Sequence, residues 1–399
     1  MNVLLLTESF PPAPVYAESR HASAVASVLS SAAHRVTVLS ADRPTGARRA
    51  EEGGIRVRRT RGILPLYHYE ADANAILDAL GLLGGGLERR SAARRTDLIV
   101  AYGWPRALAA FVLRRQTGAP VILYLHGTSR GRFGSDAGGT AAYRAAMEAW
   151  AAQEAEAVVC PSEAARCEVV QHCAVDDESA WVLPPMFDGR RLDAQNTDPA
   201  DFRSLLCEPD ELLVLFAGRL TAENGIDTLI RSLPGALESG ARIHVVVAGG
   251  GQEGGPSMSL AEQRGVAGRC TFAGQVCDLV LACLYGCADV LVSPGSYCPS
   301  GSSAVEAMAC GLPVVGADTG ALEALVEDGA NGLKVCPGDP DSLTGALIWL
   351  ARRRERLGEM ARQAEEAAKR ATALERALQE LLEGVAGESG AGESKGKED

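Results

Sequence analysis

The 399-residue chain lacks long apolar segments. Its apolar runs, such as residues 3–6 and 245–248, are only a few residues each, whereas a helix that spans a bilayer needs about 20. The first residues also lack the basic stretch and apolar core of a secretory signal. We therefore expect a soluble cytoplasmic protein without an integral membrane segment.

Cysteine pairs at zinc-binding spacing are also absent. The eleven cysteines lie between residues 160 and 336, and none forms a C-x2-C pair. The nearest spacings are Cys283-x3-Cys287 and Cys167-x5-Cys173. We expect no metal site, and we interpret the cysteines as reduced thiols that serve as small buried hydrophobes.

Excess positive charge is missing as well. Residues 1–200 hold 22 Lys+Arg and 22 Asp+Glu, so the remainder holds 39 − 22 = 17 against 51 − 22 = 29, and the net charge of −12 lies in the second half. An acidic surface repels phosphate backbones, which argues against nucleic-acid binding.

Short apolar runs do occur, and they alternate with helical segments. A parallel sheet covered on both faces has strands of this kind. The runs predict strands over residues 2–6, 35–39, 97–101, 120–125 and 157–160, then 212–218, 243–248, 270–272, 290–293, 313–316 and 332–335. The sequence thus predicts an α/β protein with two doubly wound Rossmann-like domains and a ligand cleft between them.

Composition changes place the domain boundaries. The polar segment 188–210 has the composition of a linker, and the final residues are rich in Gly, Ser, Glu and Lys. We predict an N-terminal domain over 1–190, a C-terminal domain over 191–365, a C-terminal helix over 366–383, and a disordered tail over 384–399.

The most informative segment is residues 293–316, which reads as strand, small-residue loop, helix, turn and strand. Gly301, Ser302 and Ser303 are expected at the helix N-terminus, where unpaired backbone N–H groups favour a phosphate. Glu306, one turn further, has the chemistry to accept hydrogen bonds from a ribose diol. A plain N-capped helix with an exposed glutamate fits the spacing equally well.

The same segment resembles a known family. Glu306-Ala-Met-Ala-x-Gly-x-Pro-Val-Val, followed by Asp318-Thr-Gly and Glu323, is similar to the donor-site signature of family-4 retaining glycosyltransferases, which have the GT-B fold. Further matches extend over most of the chain: Phe10-Pro11-Pro12, His126, Pro161-Ser162-Glu163, Gly218-Arg219-Leu220, Phe272-x-Gly274 and Ala288-Asp289-Val290.

The resemblance implies roles for these residues. Arg219 would bind the donor diphosphate, since a guanidinium is permanently charged and bidentate toward phosphate. His126 would contact the donor sugar, although a histidine that caps its strand remains an alternative. The implied catalytic residues are Arg219 and His126, and the implied donor-binding residues are Tyr16, Ala17, Arg219, Asn224, Gly274, Gln275, Val276, Cys298, Ser300, Gly301, Ser302, Ser303 and Glu306.

Three positions depart from the family pattern. Asn224 stands where the family has a lysine, and Cys298 stands where it has the first of two glutamates. Tyr16-Ala17 aligns with two glycines that let the backbone approach the donor. These changes fit either an altered donor sugar or a lost activity.

The leading hypothesis is a retaining glycosyltransferase that moves a sugar from a nucleoside-diphosphate sugar to a small-molecule acceptor, with no metal or other cofactor. An unusual sugar in specialised metabolism is compatible with it. The alternative is a catalytically silent GT-B protein that binds nucleotide sugar or supports an active partner. The nucleotide base, sugar, acceptor and oligomeric state are not readable from the sequence.

Overall fold

The computed structural model describes residues 1–10, 17–40, 49–59, 96–134, 138–185, 199–371 and 374–392. The chain forms two compact units. The N-terminal unit comprises Met1–Met186 and Ala373–Asp399, and the C-terminal unit comprises Phe187–Thr372. Tyr16 and the tail residues 393–399 lie outside the described residues.

The N-terminal unit is built on an eight-stranded sheet in the order β3-β4-β2-β1-β5-β6-β7-β8. Its strands are β1 (Asn2–Thr7), β2 (Arg35–Ser40), β3 (Arg49–Glu52), β4 (Ile55–Arg59), β5 (Leu98–Tyr102), β6 (Val121–Tyr124), β7 (Ala157–Cys160) and β8 (Ala180–Val182). All neighbouring strands are parallel except β3 and β4, which form an antiparallel edge hairpin.

Helices cover both faces of this sheet. They are α1 (Ala17–Ser31), α2 (Trp104–Thr117), α3 (Ser129–Phe133), α4 (Thr140–Glu154), α5 (Glu163–Cys173) and α14 (Leu374–Gly392). Along β1, Leu4 and Leu6 pack into the core with α2, while Val3 and Leu5 pack into the opposite core with α1 and α14. The strand is apolar throughout because both of its faces are buried.

The C-terminal unit has a six-stranded, all-parallel sheet in the order β11-β10-β9-β12-β13-β14. Its strands are β9 (Leu212–Ala217), β10 (Ile243–Ala248), β11 (Cys270–Gly274), β12 (Val290–Ser293), β13 (Val314–Ala317) and β14 (Gly332–Val335). Its helices are α6 (Pro199–Ser204), α7 (Ile226–Glu238), α8 (Gly254–Gln263), α9 (Asp278–Cys287), α10 (Ser302–Ala309), α11 (Ala321–Leu325), α12 (Pro340–Arg352) and α13 (Leu357–Ala371).

Every strand expected from an apolar run is present, but three strands were not predicted. Two of them, β3 and β4, lie at one edge of the sheet, where Arg56 and Arg58 alternate with the buried Ile55 and Val57. The third, β8, has only three residues and lies at the other edge. Edge strands are exposed on one side, so they do not form continuous apolar runs.

The C-terminal segment differs from the prediction. Three α-helices, α12, α13 and α14, lie within the described residues 340–371 and 374–392, and the last one continues to Gly392. The prediction of a disordered tail from residue 384 is therefore wrong for 384–392. The helix forms because Leu378, Leu381 and Val385 pack into the core of the N-terminal unit, an effect that composition does not show. Within the predicted linker, Pro199–Ser204 is helical.

Candidate active site

The strand order of the C-terminal sheet locates its ligand-binding edge. The chain proceeds from β9 to β10 on one side, and it later returns to place β12 on the other side of β9. At such a crossover point, the loops that follow the two strands diverge and leave room for a ligand. The two loops here are 218–225, after β9, and 294–301, after β12.

Glycines hold these two loops against each other. The Ser296 backbone N–H donates to the Glu223 carbonyl over 2.9 Å. A Cβ added to Gly295 would lie 2.4 Å from the same carbonyl oxygen, and a Cβ on Gly225 would lie 2.9 Å from the Pro294 carbonyl group. Larger residues at these two positions would force the loops apart, so the glycines set the geometry of the site.

Arg219 lies on the first of these loops. Its carbonyl oxygen accepts hydrogen bonds from the Thr221 N–H (3.1 Å) and from Asn224 Nδ2 (2.8 Å). The side chain is exposed, and its guanidinium makes no ion pair within the described ranges. The backbone is thus held by neighbours while the charge stays accessible, which suits a residue that binds an anionic ligand.

The missing family lysine has a structural consequence at Asn224. Its side chain turns back to the Arg219 carbonyl, so this position supplies a loop-holding amide instead of a second cation. The site therefore presents one guanidinium where the family pattern would have two positive charges.

The N-terminus of α10 lies on the second loop. Gly301 adopts a left-handed conformation (φ 61°) at the N-cap position, where it has no side chain to cap the helix, and the Ser302 N–H donates to Ser300 Oγ over 3.4 Å. A Cβ at this glycine would come within 2.7 Å of Leu325 Cδ1. Ser300 and Ser302 hydrogen bond to each other over 2.9 Å between their Oγ atoms, and Ser303 is half-buried. The helix end combines hydroxyl groups with the backbone N–H donors of a helix start, which are the groups that bind an anion.

Glu306 is buried, in contrast to the exposed glutamate of the alternative interpretation. Only 4% of the residue is exposed, and its Oε2 accepts a hydrogen bond from the Tyr285 hydroxyl over 3.2 Å. Sequence reasoning did not identify Tyr285, which lies on α9 and is 2% exposed. A buried carboxylate without donors would be strongly unfavourable, so this contact is part of the site.

Cys298 lies on the second loop and contacts the start of α11. Burial raises the pKa of its thiol to about 11, with the Ser293 side chain as a hydrogen-bond partner. Its carbonyl accepts from the Ala321 N–H over 2.8 Å. The thiol is therefore neutral at physiological pH and is a weak hydrogen-bond partner for a sugar.

The three remaining predicted donor contacts of this unit lie at the last residue of β11 and just beyond it. Gly274 and Gln275 are exposed, and the Gly274 carbonyl accepts from the Gly249 N–H over 2.8 Å. Val276 instead packs partly against an apolar core cluster. Within the C-terminal unit, the fold thus gathers Arg219, Asn224, Cys298 and the start of α10 around one crossover point.

His126 belongs to the N-terminal unit, as does Ala17, the first residue of α1. His126 follows β6, is half-buried, and its ring centroid lies 6.4 Å from that of Tyr124. The loop beyond it is held by Thr128, whose Oγ1 lies 2.9 Å from His172 Nδ1 and 3.1 Å from Glu168 Oε2. The histidine is therefore at the carboxyl end of its strand, next to an anchored loop.

The described residues contain neither a metal-binding cluster nor a membrane-spanning helix. No group of three or more His, Cys, Asp and Glu side chains there is arranged to hold a metal ion. None of the helices in the described ranges has the length and apolar character that crossing a bilayer requires.

Comparison with known proteins decides the family. Residues 19–191 match the model of Glycosyltransferase Family 4, and residues 198–371 match that of Glycosyl transferases group 1. An uncharacterized glycosyltransferase of Methanocaldococcus jannaschii is 30% identical over 357 residues, which cover 86% of this chain and 87% of the relative. The chain belongs to the family 4 glycosyltransferases. The resemblance seen in the sequence is thereby confirmed.

Solved structures confirm the GT-B fold of this glycosyltransferase. Sucrose-phosphate synthase from Thermosynechococcus elongatus superimposes with a TM-score of 0.80 at 20% identity, over 96% of this chain and 98% of that one. Anabaena HepE in complex with UDP-glucose superimposes with a TM-score of 0.76 at 21% identity, over 97% of this chain and all of that one.

Proposed function

We propose that this glycosyltransferase transfers a sugar from a nucleoside-diphosphate sugar to a small-molecule acceptor with retention at the anomeric carbon. The observation that carries the proposal is the convergence of Arg219, the N-terminus of α10 and Glu306 at one crossover point. HepE, which has the same fold, binds UDP-glucose. A reducing cytoplasmic location fits the eleven free cysteines.

Each group has a part in the proposed reaction. The Arg219 guanidinium and the N–H groups after Gly301 stabilise the diphosphate, on which negative charge develops as the glycosidic bond breaks. The Glu306 carboxylate accepts hydrogen bonds from the ribose hydroxyls. The contact of His126 with the donor sugar stays a prediction from the family resemblance. The acceptor attacks from the face that the diphosphate leaves, and a diphosphate oxygen takes the acceptor proton, so no separate carboxylate base is needed.

Calorimetry with UDP, GDP, ADP and TDP, with and without EDTA, tests the donor half of the proposal. We expect one or more of these nucleotides to bind, and to bind equally after chelation, because a guanidinium and backbone N–H groups supply the positive charge. Loss of binding with EDTA would show that a metal is required.

Glu306→Ala tests the ribose contact separately. Because the carboxylate is assigned to the ribose, the variant should weaken a nucleoside and its diphosphate by the same factor, whereas Arg219→Ala should weaken mainly the diphosphate. The reverse pattern in the two variants would overturn both assignments.

A second function, nucleotide-sugar binding without turnover, is favoured by two observations. The Asn224 side chain donates its hydrogen bond to the Arg219 carbonyl, and Cys298 carries a neutral thiol. We expect the native protein to turn over at least one sugar from a broad nucleotide-sugar panel. If it cleaves none and Asn224→Lys with Cys298→Glu creates activity, the silent function is correct. If Cys298→Glu instead abolishes a native reaction, the cysteine determines donor specificity.

A further inference from the structure

Glu306 is held in its place by another helix. The residue lies in the second turn of α10 and is 4% exposed, while Tyr285 lies near the end of α9 and is 2% exposed. Both helices pack on the same face of the C-terminal sheet, in the core cluster that includes Leu284, Ala307 and Met308. The 3.2 Å hydrogen bond from the Tyr285 hydroxyl to Glu306 Oε2 therefore joins two helices inside a mostly apolar layer.

We propose that Tyr285 is a positioning residue for nucleotide binding: its hydroxyl fixes the Glu306 carboxylate in the orientation that receives the ribose. The inference deepens the proposed function and rests on the assignment of Glu306 to the ribose. Tyr285 acts through Glu306 and does not itself touch the nucleotide.

The Glu306 side chain has three rotatable bonds, and fixing them in one orientation costs conformational entropy. If the ligand had to impose the orientation, this cost would reduce its affinity. A donor that is already present in the folded protein removes that cost from the binding step, which is the meaning of preorganisation.

The chemistry also explains why a tyrosine fits this position. A phenylalanine ring would fill the same apolar space, so packing alone does not need the hydroxyl. A buried tyrosine hydroxyl requires a partner, and hydrogen bonds to a charged acceptor are stronger than those between neutral groups. The contact therefore orders both side chains and leaves the direction of the carboxylate defined.

The test compares Tyr285→Phe with one matched control and with the other members of a double-mutant cycle. Tyr102→Phe is the control, because Tyr102 is 1% exposed and also makes a 3.2 Å hydrogen bond, to His21 Nδ1 in the N-terminal unit. Glu306→Ala and the double variant Tyr285→Phe/Glu306→Ala complete a cycle. Calorimetry of each protein uses the nucleoside diphosphate that binds most tightly among UDP, GDP, ADP and TDP, and inorganic pyrophosphate as the second probe.

We expect Tyr285→Phe to weaken the nucleoside diphosphate by about 5- to 10-fold and pyrophosphate by less than 2-fold. In the Glu306→Ala background, the same substitution should change nucleotide affinity by less than 2-fold. Tyr102→Phe should leave both affinities unchanged. Thermal unfolding of each variant shows whether its stability changes in the same order as its nucleotide affinity.

Different failures have different meanings. If Tyr285→Phe weakens both probes equally, or keeps its full effect without Glu306, the tyrosine is structural and the inference is wrong. An unchanged nucleotide affinity in Tyr285→Phe also overturns it when Glu306→Ala weakens binding. If Glu306→Ala itself has no effect, the ribose assignment in the proposed function fails and the inference fails with it.

Discussion

The two units have equivalent crossover points, and each carries an arginine in a different state. In the N-terminal sheet, β1 lies between β2 and β5, so the point is flanked by Glu8, after β1, and by the start of α2, after β5. Arg106 in the first turn of α2 pairs with Glu8 over 3.1 Å, and 8% of the arginine side chain is exposed. Arg219 at the other point is exposed and, within the described residues, has no carboxylate partner.

The difference separates two uses of one side-chain type. A buried guanidinium must be paired, because an uncompensated charge in the interior is costly. An exposed guanidinium on a rigid loop keeps its hydrogen-bonding capacity for a ligand. We therefore assign a stabilising role to Arg106 and a binding role to Arg219. Three experiments test this comparison, and a fourth tests the cost of burying a titratable group in the N-terminal unit.

The largest expected effect is the loss of diphosphate binding in Arg219→Ala. Removing a charged hydrogen-bond donor should cost about 3 kcal/mol, or roughly a 100-fold weaker affinity for the nucleoside diphosphate. Calorimetry measures it, and Arg264→Ala is the control because Arg264 is also an exposed arginine of the C-terminal unit. Equal losses in the two variants would indicate a general charge effect and remove the binding role of Arg219.

The second effect concerns a buried base in the N-terminal unit. Burial lowers the pKa of His21 from 6.5 to about 4, and its ring is stacked on Tyr124 at 4.3 Å. Below pH 6.5 the His21 ring of the unfolded chain binds a proton, whereas the same ring in the folded unit stays neutral until about pH 4. The free energy of unfolding is therefore highest above pH 6.5 and declines as the pH falls toward 4. Between pH 7 and pH 5 we expect a loss of about 2 kcal/mol.

Urea unfolding at the two pH values measures this loss through tryptophan fluorescence. Three of the four tryptophans, Trp104, Trp150 and Trp181, belong to the N-terminal unit. His21→Phe, which retains a ring for stacking, should lose most of the pH dependence. If the variant is as acid-sensitive as the wild type, another group is responsible.

The third experiment removes the paired arginine. Arg106→Ala should destabilise the N-terminal unit by about 1–2 kcal/mol, because Glu8 is largely exposed and is readily solvated once it loses its partner. Nucleotide affinity should not change. Urea unfolding and calorimetry on the same preparation give both numbers, and a variant that is stable but weak in nucleotide binding would reverse the comparison.

The smallest effect is expected at Asn224. Asn224→Ala removes the hydrogen bond to the Arg219 carbonyl, which is worth about 1 kcal/mol, and should weaken nucleoside diphosphate binding by about 3- to 5-fold as the Arg219 loop loosens. Combining it with Arg219→Ala tests the cause. If the two losses add fully, Asn224 acts on the ligand without Arg219.

Much of the fold was predictable from local patterns. The strands that are buried on both faces, such as β1 and β9, form continuous apolar runs, and each was predicted. The strands β3, β4 and β8 at the two edges were missed because the strands are short and because charged residues interrupt the apolar ones in β3 and β4. The C-terminal helix was predicted to end too early, because its composition suggested disorder while its leucines have a distant core to join.

The candidate site divides in the same way. The glycine-rich loop before α10 and the Gly218-Arg219 pair were visible in the sequence, because a helix start and a turn depend on neighbouring residues. Tyr285 was missed, since its partner lies 21 residues away on another helix. The hydrogen bond from Asn224 to the Arg219 carbonyl was missed as well, because the sequence does not show whether an asparagine side chain faces a ligand or a backbone carbonyl.

The sequence by itself determined that the chain has two α/β units with parallel strands, which of its segments form the strands buried on both faces, and the small-residue loop that precedes α10. Those features follow from periodicity and backbone preference, which act over a few residues. The tertiary structure decided that Glu306 is buried on Tyr285, that Arg106 pairs with Glu8 across 98 positions, and that Arg219 has no such partner among the described residues. Burial and pairing depend on which distant segments meet in the fold. Those contacts decide whether a charged side chain is neutralised by a partner or left available for a ligand.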